Sequence, residues 1–179
     1  MFWKNIFLIP LVLVALAFSR NKENQVKVNF SGYDRGFTSI NWNGVAVDFS
    51  GVNKAAFDVG YIEIQNLVVI SELSTDSQIK ITATHGGWST LPTGYSGNKT
   101  ATNGDVQIYI DNLASLSAYS GSNFSSAYTS ITNSGDNIIE TSGSVSGATG
   151  DINARILLDW ADDTKGDYSL SLQFTVTNY

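Results

Sequence analysis

Ile152-Asn-Ala-Arg-Ile-Leu-Leu-Asp-Trp160 and Tyr168-Ser-Leu-Ser-Leu-Gln-Phe-Thr-Val-Thr-Asn-Tyr179 decide the fold class of this chain. In the second stretch Tyr168, Leu170, Leu172, Phe174 and Val176 alternate with polar residues. Successive side chains of a strand point to opposite faces, so this pattern describes a strand with one face buried and one in water. The link between the runs, Ala161-Asp-Asp-Thr-Lys-Gly-Asp167, is polar and contains a glycine. Two strands joined by such a link are expected to close as a hairpin.

The same period recurs upstream. Val26, Val28 and Phe30 share one face of Gln25–Phe30, and Val45, Val47 and Phe49 share one face of Gly44–Ser50. Gln78–Thr84 and Asp105–Ile110 alternate likewise. Phe57–Ile64 reads as a longer strand bent near Gly60-Tyr61, and Leu67–Ile70 as a short, wholly apolar inner strand. His85-Gly-Gly-Trp-Ser-Thr-Leu-Pro-Thr-Gly-Tyr95 reads as a Gly/Pro-rich loop. Asn112–Tyr119 fits a helical turn as well as a loop. Between Ala114 and Gly150, 23 of 37 residues are Ser, Thr, Gly or Asn, so only short strands are expected there, near Tyr128–Ile131 and Ile138–Thr141. About seven to ten short strands without a long helix predict an all-β fold, an antiparallel β-sandwich of immunoglobulin-like type. No repeat and no linker divides residues 25–179, which read as a single domain.

The chain opens with Lys4, an apolar run over Ile6–Leu16 and the small-x-small pattern Ala15-Leu16-Ala17. Residues 1–17 therefore read as a secretory signal peptide, with 18–24 as a polar linker. The apolar run is shorter than the ~20 residues a membrane-spanning helix needs, so no membrane span is expected after cleavage. Cleavage would leave nine Lys and Arg against sixteen Asp and Glu, a formal charge of −7. Acidic balance without a basic cluster argues against nucleic acid as a partner. The chain has no Cys, so stability must come from burial, sheet hydrogen bonding or assembly. Only 15% of residues are charged, while Ser (22), Asn (16), Gly (16) and Thr (15) dominate the polar set. Few charges are then left to guard sheet edges, as suits a protein that polymerises.

An outer-membrane barrel is the competing architecture for a chain of this size. Barrel strands need about nine to eleven residues to cross, longer than most runs here. Barrel C-termini carry apolar residues two, four and six places before a final aromatic. Here Thr177, Thr175 and Gln173 hold those places before Tyr179.

Gly166-Asp-Tyr-Ser-Leu-Ser-Leu-Gln-Phe-Thr-Val-Thr-Asn-Tyr179 resembles the ending of bacterial secreted β-sandwich families, spore coat protein U-like and chaperone–usher pilin subunits among them. The resemblance covers the last 25 or so residues. It implies an incomplete immunoglobulin-like fold completed by an N-terminal strand of the next subunit, and Gln25–Phe30 stands where such a donor would. Many such pilin subunits carry a disulfide, which this chain lacks.

Few residues suggest chemistry. His85 is the only histidine, and no Gly-x-Ser-x-Gly accompanies it, so no catalytic residues are assigned and no enzymatic role is expected. Asp159, Asp162, Asp163 and Asp167 crowd the final link. Their spacing does not match a calcium-binding loop, and they read as a solvated turn; no metal or other cofactor is expected. Trp88 and Tyr95 in the Gly/Pro loop, with Trp42 before Gly44, are the candidate ligand-binding residues, since loop aromatics can form platforms for sugar rings. The reading favoured over a platform is that these aromatics plug the ends of the sandwich, or that Trp160 and its neighbours pack the core. Asn29-Phe-Ser31, Asn98-Lys-Thr100 and Asn123-Phe-Ser125 have the glycosylation pattern, of consequence only where the host glycosylates its exports. The expectation is an exported structural or adhesive cell-surface protein, a pilus-like subunit partnered by copies of itself or another surface protein. A carbohydrate-binding module with glycan as partner is the alternative.

Overall fold

The final alternating stretch forms strand β10 (Ser169–Asn178), and Leu170, Leu172, Phe174 and Val176 are all buried, with Tyr168 just before it. The structure, a computed structural model, describes residues 14–17, 29–31, 54–99, 105–163 and 168–178. Predicted features elsewhere lie outside the described residues: the leader before Val14, the linker 18–24, most of Gln25–Phe30, the strand at Gly44–Ser50, Trp42 and Asp167.

The remaining strands are β1 (Val14–Ala17), β2 (Asn29–Ser31), β3 (Tyr61–Thr75), β4 (Ile79–Thr90), β5 (Val106–Ala114), β6 (Ser117–Ala118), β7 (Thr129–Ser130), β8 (Asp136–Glu140) and β9 (Val145–Leu157). They form two sheets. One has the order β1-β10-β4-β8-β6, with β2 also paired to β10; the other runs β3-β9-β5-β7. All pairings are antiparallel except the short one between β2 and β10. Ile64, Leu67 and Ile70 of β3 join Ile108, Ile152, Ile79, Ile139 and Phe174 in one hydrophobic core drawn from both sheets. The protein is thus all-β, two sheets sharing a single core.

From β3 to β10 every successive strand belongs to the opposite sheet. The expected closing hairpin is therefore absent: β9 pairs with β3 and β5, β10 with β4, and the Asp-rich link crosses between sheets. Alternation reports which face of a strand is buried. It carries no information about which neighbour satisfies its backbone.

Three other readings change. Lys54–Val59 is a short helix, α1, rather than the start of a strand. Ala55 and Ala56 favour helix, and Lys54 pairs with Asp58 one turn on. Gly60, at φ +86°, then ends the helix in a left-handed turn and donates to the Ala56 carbonyl. The two runs read between Tyr61 and Ile70 are one strand, bulged where Asn66 adopts φ +53°. The buried Asn153 amide of β9 holds that bulge by accepting from the Asn66 N–H and donating to Asp111. Finally, β4 continues to Thr90 through most of the predicted loop, since β10 offers a partner along its length. Register shifts near Gly87 (φ +93°) absorb the mismatch. No described helix is long and apolar enough to cross a membrane.

Candidate functional site

The β4–β5 and β9–β10 connections meet around one buried lysine. After β4 the chain turns at Pro92, whose carbonyl accepts from the Tyr95 N–H, and reaches Lys99. The Lys99 side chain is 4% exposed. Its ammonium lies 2.6 Å from Asp163 Oδ2 and 3.4 Å from Asp105 Oδ2, and donates to the Leu157 carbonyl at 3.2 Å. Three acceptors thus face the three donors of one ammonium group.

Asp163 is presented by a single helical turn. Its N–H donates to the Asp159 carbonyl, and its Oδ2 accepts from the Asp159 N–H at 2.9 Å. Asp159 in turn accepts from the Ala161 N–H at 2.7 Å. The acidic link is therefore not uniformly solvated. Asp159 is exposed and shapes the turn, whereas the Asp163 side chain is 3% exposed and serves as counter-ion. Among the described residues, no three carboxylate or imidazole groups converge as metal ligands.

Aromatic rings wall this cluster. The Trp88 ring stands edge-on to Tyr168 at 6.0 Å and lies 5.6 Å from Lys99 Nζ. Tyr95 meets Tyr168 edge-to-face at 5.8 Å. The Tyr95 hydroxyl accepts from the Lys99 N–H at 3.1 Å and donates to Asp163 Oδ1 at 3.3 Å. Burial, reinforced by the neighbouring Asp163 charge, pushes the Tyr95 phenol up to about 12, although the Lys99 N–H bond works the other way. Gly97 is required by this packing. A Cβ there would collide with the Tyr95 hydroxyl and come within 2.9 Å of the Asp162 side chain.

Trp88 and Tyr95 are thus brought together, half-buried, around Lys99; Trp42 is outside the described residues. Trp160, expected in the core, is 58% exposed and stacks on Phe57 at 4.7 Å. His85, read as the first residue of the Gly/Pro-rich loop, is instead fully buried within β4, its Nδ1 accepting from the Gly87 N–H at 3.2 Å.

Sequence reading missed Lys99, Asp105 and Asp163 as a unit. Lys99 stood out only as the middle of a glycosylation triplet, and no local spacing links residues brought together by two separate cross-sheet connections. No known protein family, curated protein or solved structure matches the chain.

Proposed function

We propose that this is an exported structural or adhesive protein of the cell surface, an immunoglobulin-like sandwich that assembles by strand pairing along β10. One observation carries the reading. Among the described residues, the edge of β10 away from β4 is covered by two short N-terminal segments. Val14–Ala17 pairs antiparallel with Ser169–Leu172, and Asn29–Ser31 pairs parallel with Gln173–Thr175.

Val14–Ala17 belongs to the apolar run read as a leader. Its removal would strip one half of that edge and leave its N–H and C=O groups without a strand. An open edge with a buried apolar face beneath it is a site for β-augmentation, with main-chain bonds supplying affinity. A second copy is the occupant this reading names, with its Gln25–Phe30 segment as the strand donated. The low charge content and the absence of cysteine agree with stabilisation by assembly.

Electron microscopy and size-exclusion chromatography of the mature protein test this. Filaments or multimers are expected from the intact mature chain, and folded monomers from a variant lacking residues 25–30. Monomers from the intact chain, or unchanged assembly after the deletion, would dispose of the reading.

A further inference from the structure

The Lys99 cluster has a geometry that goes beyond holding two loops together. A primary amine sits in hydrogen-bond contact with one carboxyl group, at 2.6 Å, while a second carboxylate stands 3.4 Å from the same nitrogen. All three side chains are largely removed from water, and Trp88 and Tyr95 close over them. We propose that Lys99 and Asp163 condense into an intramolecular amide cross-link, with Asp105 transferring the proton.

The step balances without any outside reagent. Moving the shared proton along the Lys99–Asp163 hydrogen bond converts the ammonium–carboxylate pair into an amine and a carboxylic acid, with no change in total charge. The Nζ lone pair attacks Cγ of Asp163, forming the C–N bond and a tetrahedral carbon. The Asp105 carboxylate takes the proton released from Nζ and delivers it to the departing hydroxyl. The C–O bond breaks, and one water leaves. Asp105 ends as it began, a carboxylate, and nothing is oxidised or reduced.

Two physical features favour the reaction at this place. Amine and acid are held in contact by separate parts of the fold, so the encounter is intramolecular and its entropy is already spent. The site is dry, which weakens the solvation that would keep the pair ionic and removes the water that would reverse the step. The Tyr95 hydroxyl, bonded to Asp163 Oδ1, is placed to steady the oxygen that gains charge in the tetrahedral intermediate. The product would tie the β4–β5 connection to the β9–β10 connection. This inference does not depend on assembly through β10.

Mass spectrometry of the unfolded full chain decides it. The expected result is a mass one water below the sequence value, with a proteolytic fragment joining the Lys99 and Asp163 peptides. Trypsin should fail to cut after Lys99. In Lys99→Arg and Asp163→Ala the missing water should return. Asp105→Ala, checked for folding by near-ultraviolet circular dichroism, should also give the full mass. A wild-type chain at full mass that trypsin cuts after Lys99 overturns the proposal, as does a water loss that persists in Lys99→Arg. Unaltered cross-linking in Asp105→Ala would remove Asp105 from the mechanism.

Discussion

Lys99 and Arg155 each meet a carboxylate beside aromatic rings, in opposite surroundings. Lys99 is enclosed between two loop connections, its side chain and that of Asp163 exposed by 4% and 3%. Arg155 lies on the outer face of the β3-β9-β5-β7 sheet, where it and Glu63 are 26% and 29% exposed. The Arg155 guanidinium grips Glu63 Oε2 through two nitrogens, at 2.7 and 2.9 Å, and lies over Tyr128 and Tyr61 at 3.7 and 4.0 Å. Ring contacts and charge pairing are alike; access to water differs. Water competes for each partner at the outer stack and rescues whichever is left alone. At the Lys99 cluster a stranded charge has no such recourse.

The largest effect should follow from breaking the two pairs from one side. Lys99→Met removes the cation, and with it the means of forming the proposed Lys99–Asp163 cross-link, leaves two carboxylates around an apolar chain, and is expected to lose at least about 3–5 kcal/mol. Arg155→Met should lose only about 1–2 kcal/mol, summing an exposed ion pair and its ring contacts. Urea unfolding of both variants measures the gap, and equal losses would erase the contrast.

Gly97→Ala probes the walls of the buried cluster. Its new methyl must displace the Tyr95 ring, and overpacking of this kind costs about 1–3 kcal/mol. A thermal melt matching the wild type would mean that the loop relaxes freely.

The pH extremes sharpen the comparison through one group at each place, Tyr95 and Glu63, whose contributions fade in opposite directions. Tyr95 has its phenol raised from 10.0 to about 12 in the folded protein, chiefly by burial. Its contribution is complete below pH 10 and lost as pH rises towards 12, because the unfolded chain gives up that proton first. Glu63 behaves oppositely. Partial burial pushes its carboxyl up, but hydrogen bonding to Arg155 and Gln65 and the Arg155 charge bring it below the ordinary 4.5. Its contribution is present above pH 4.5 and fades as pH falls through the depressed value. Stability measured against pH should show a smaller alkaline slope in Tyr95→Phe and a smaller acid slope in Glu63→Gln.

Part of this architecture was legible in the chain. The apolar positions of β10 are buried as their alternation predicts, and Val106, Ile108 and Ile110 of β5 follow the same rule. The helix at Lys54–Val59 was not legible. Phe57, Val59, Tyr61 and Ile62 gave a strand-like apolar density, which Gly60 in fact divides between two elements. Of the candidate ligand-binding residues, Trp88 and Tyr95 were found together, but around a buried ammonium that no pattern announced.

Sequence alone determined the class of this protein: strands, their buried faces, and the absence of disulfides. These follow from side-chain period and composition, which are local properties. Tertiary structure decided that successive strands from β3 onward alternate between sheets, and that Lys99, Asp105 and Asp163 share one dry site. Pairing is settled by which backbone edges and apolar faces fit when the whole core closes, and so is the company a buried charge keeps.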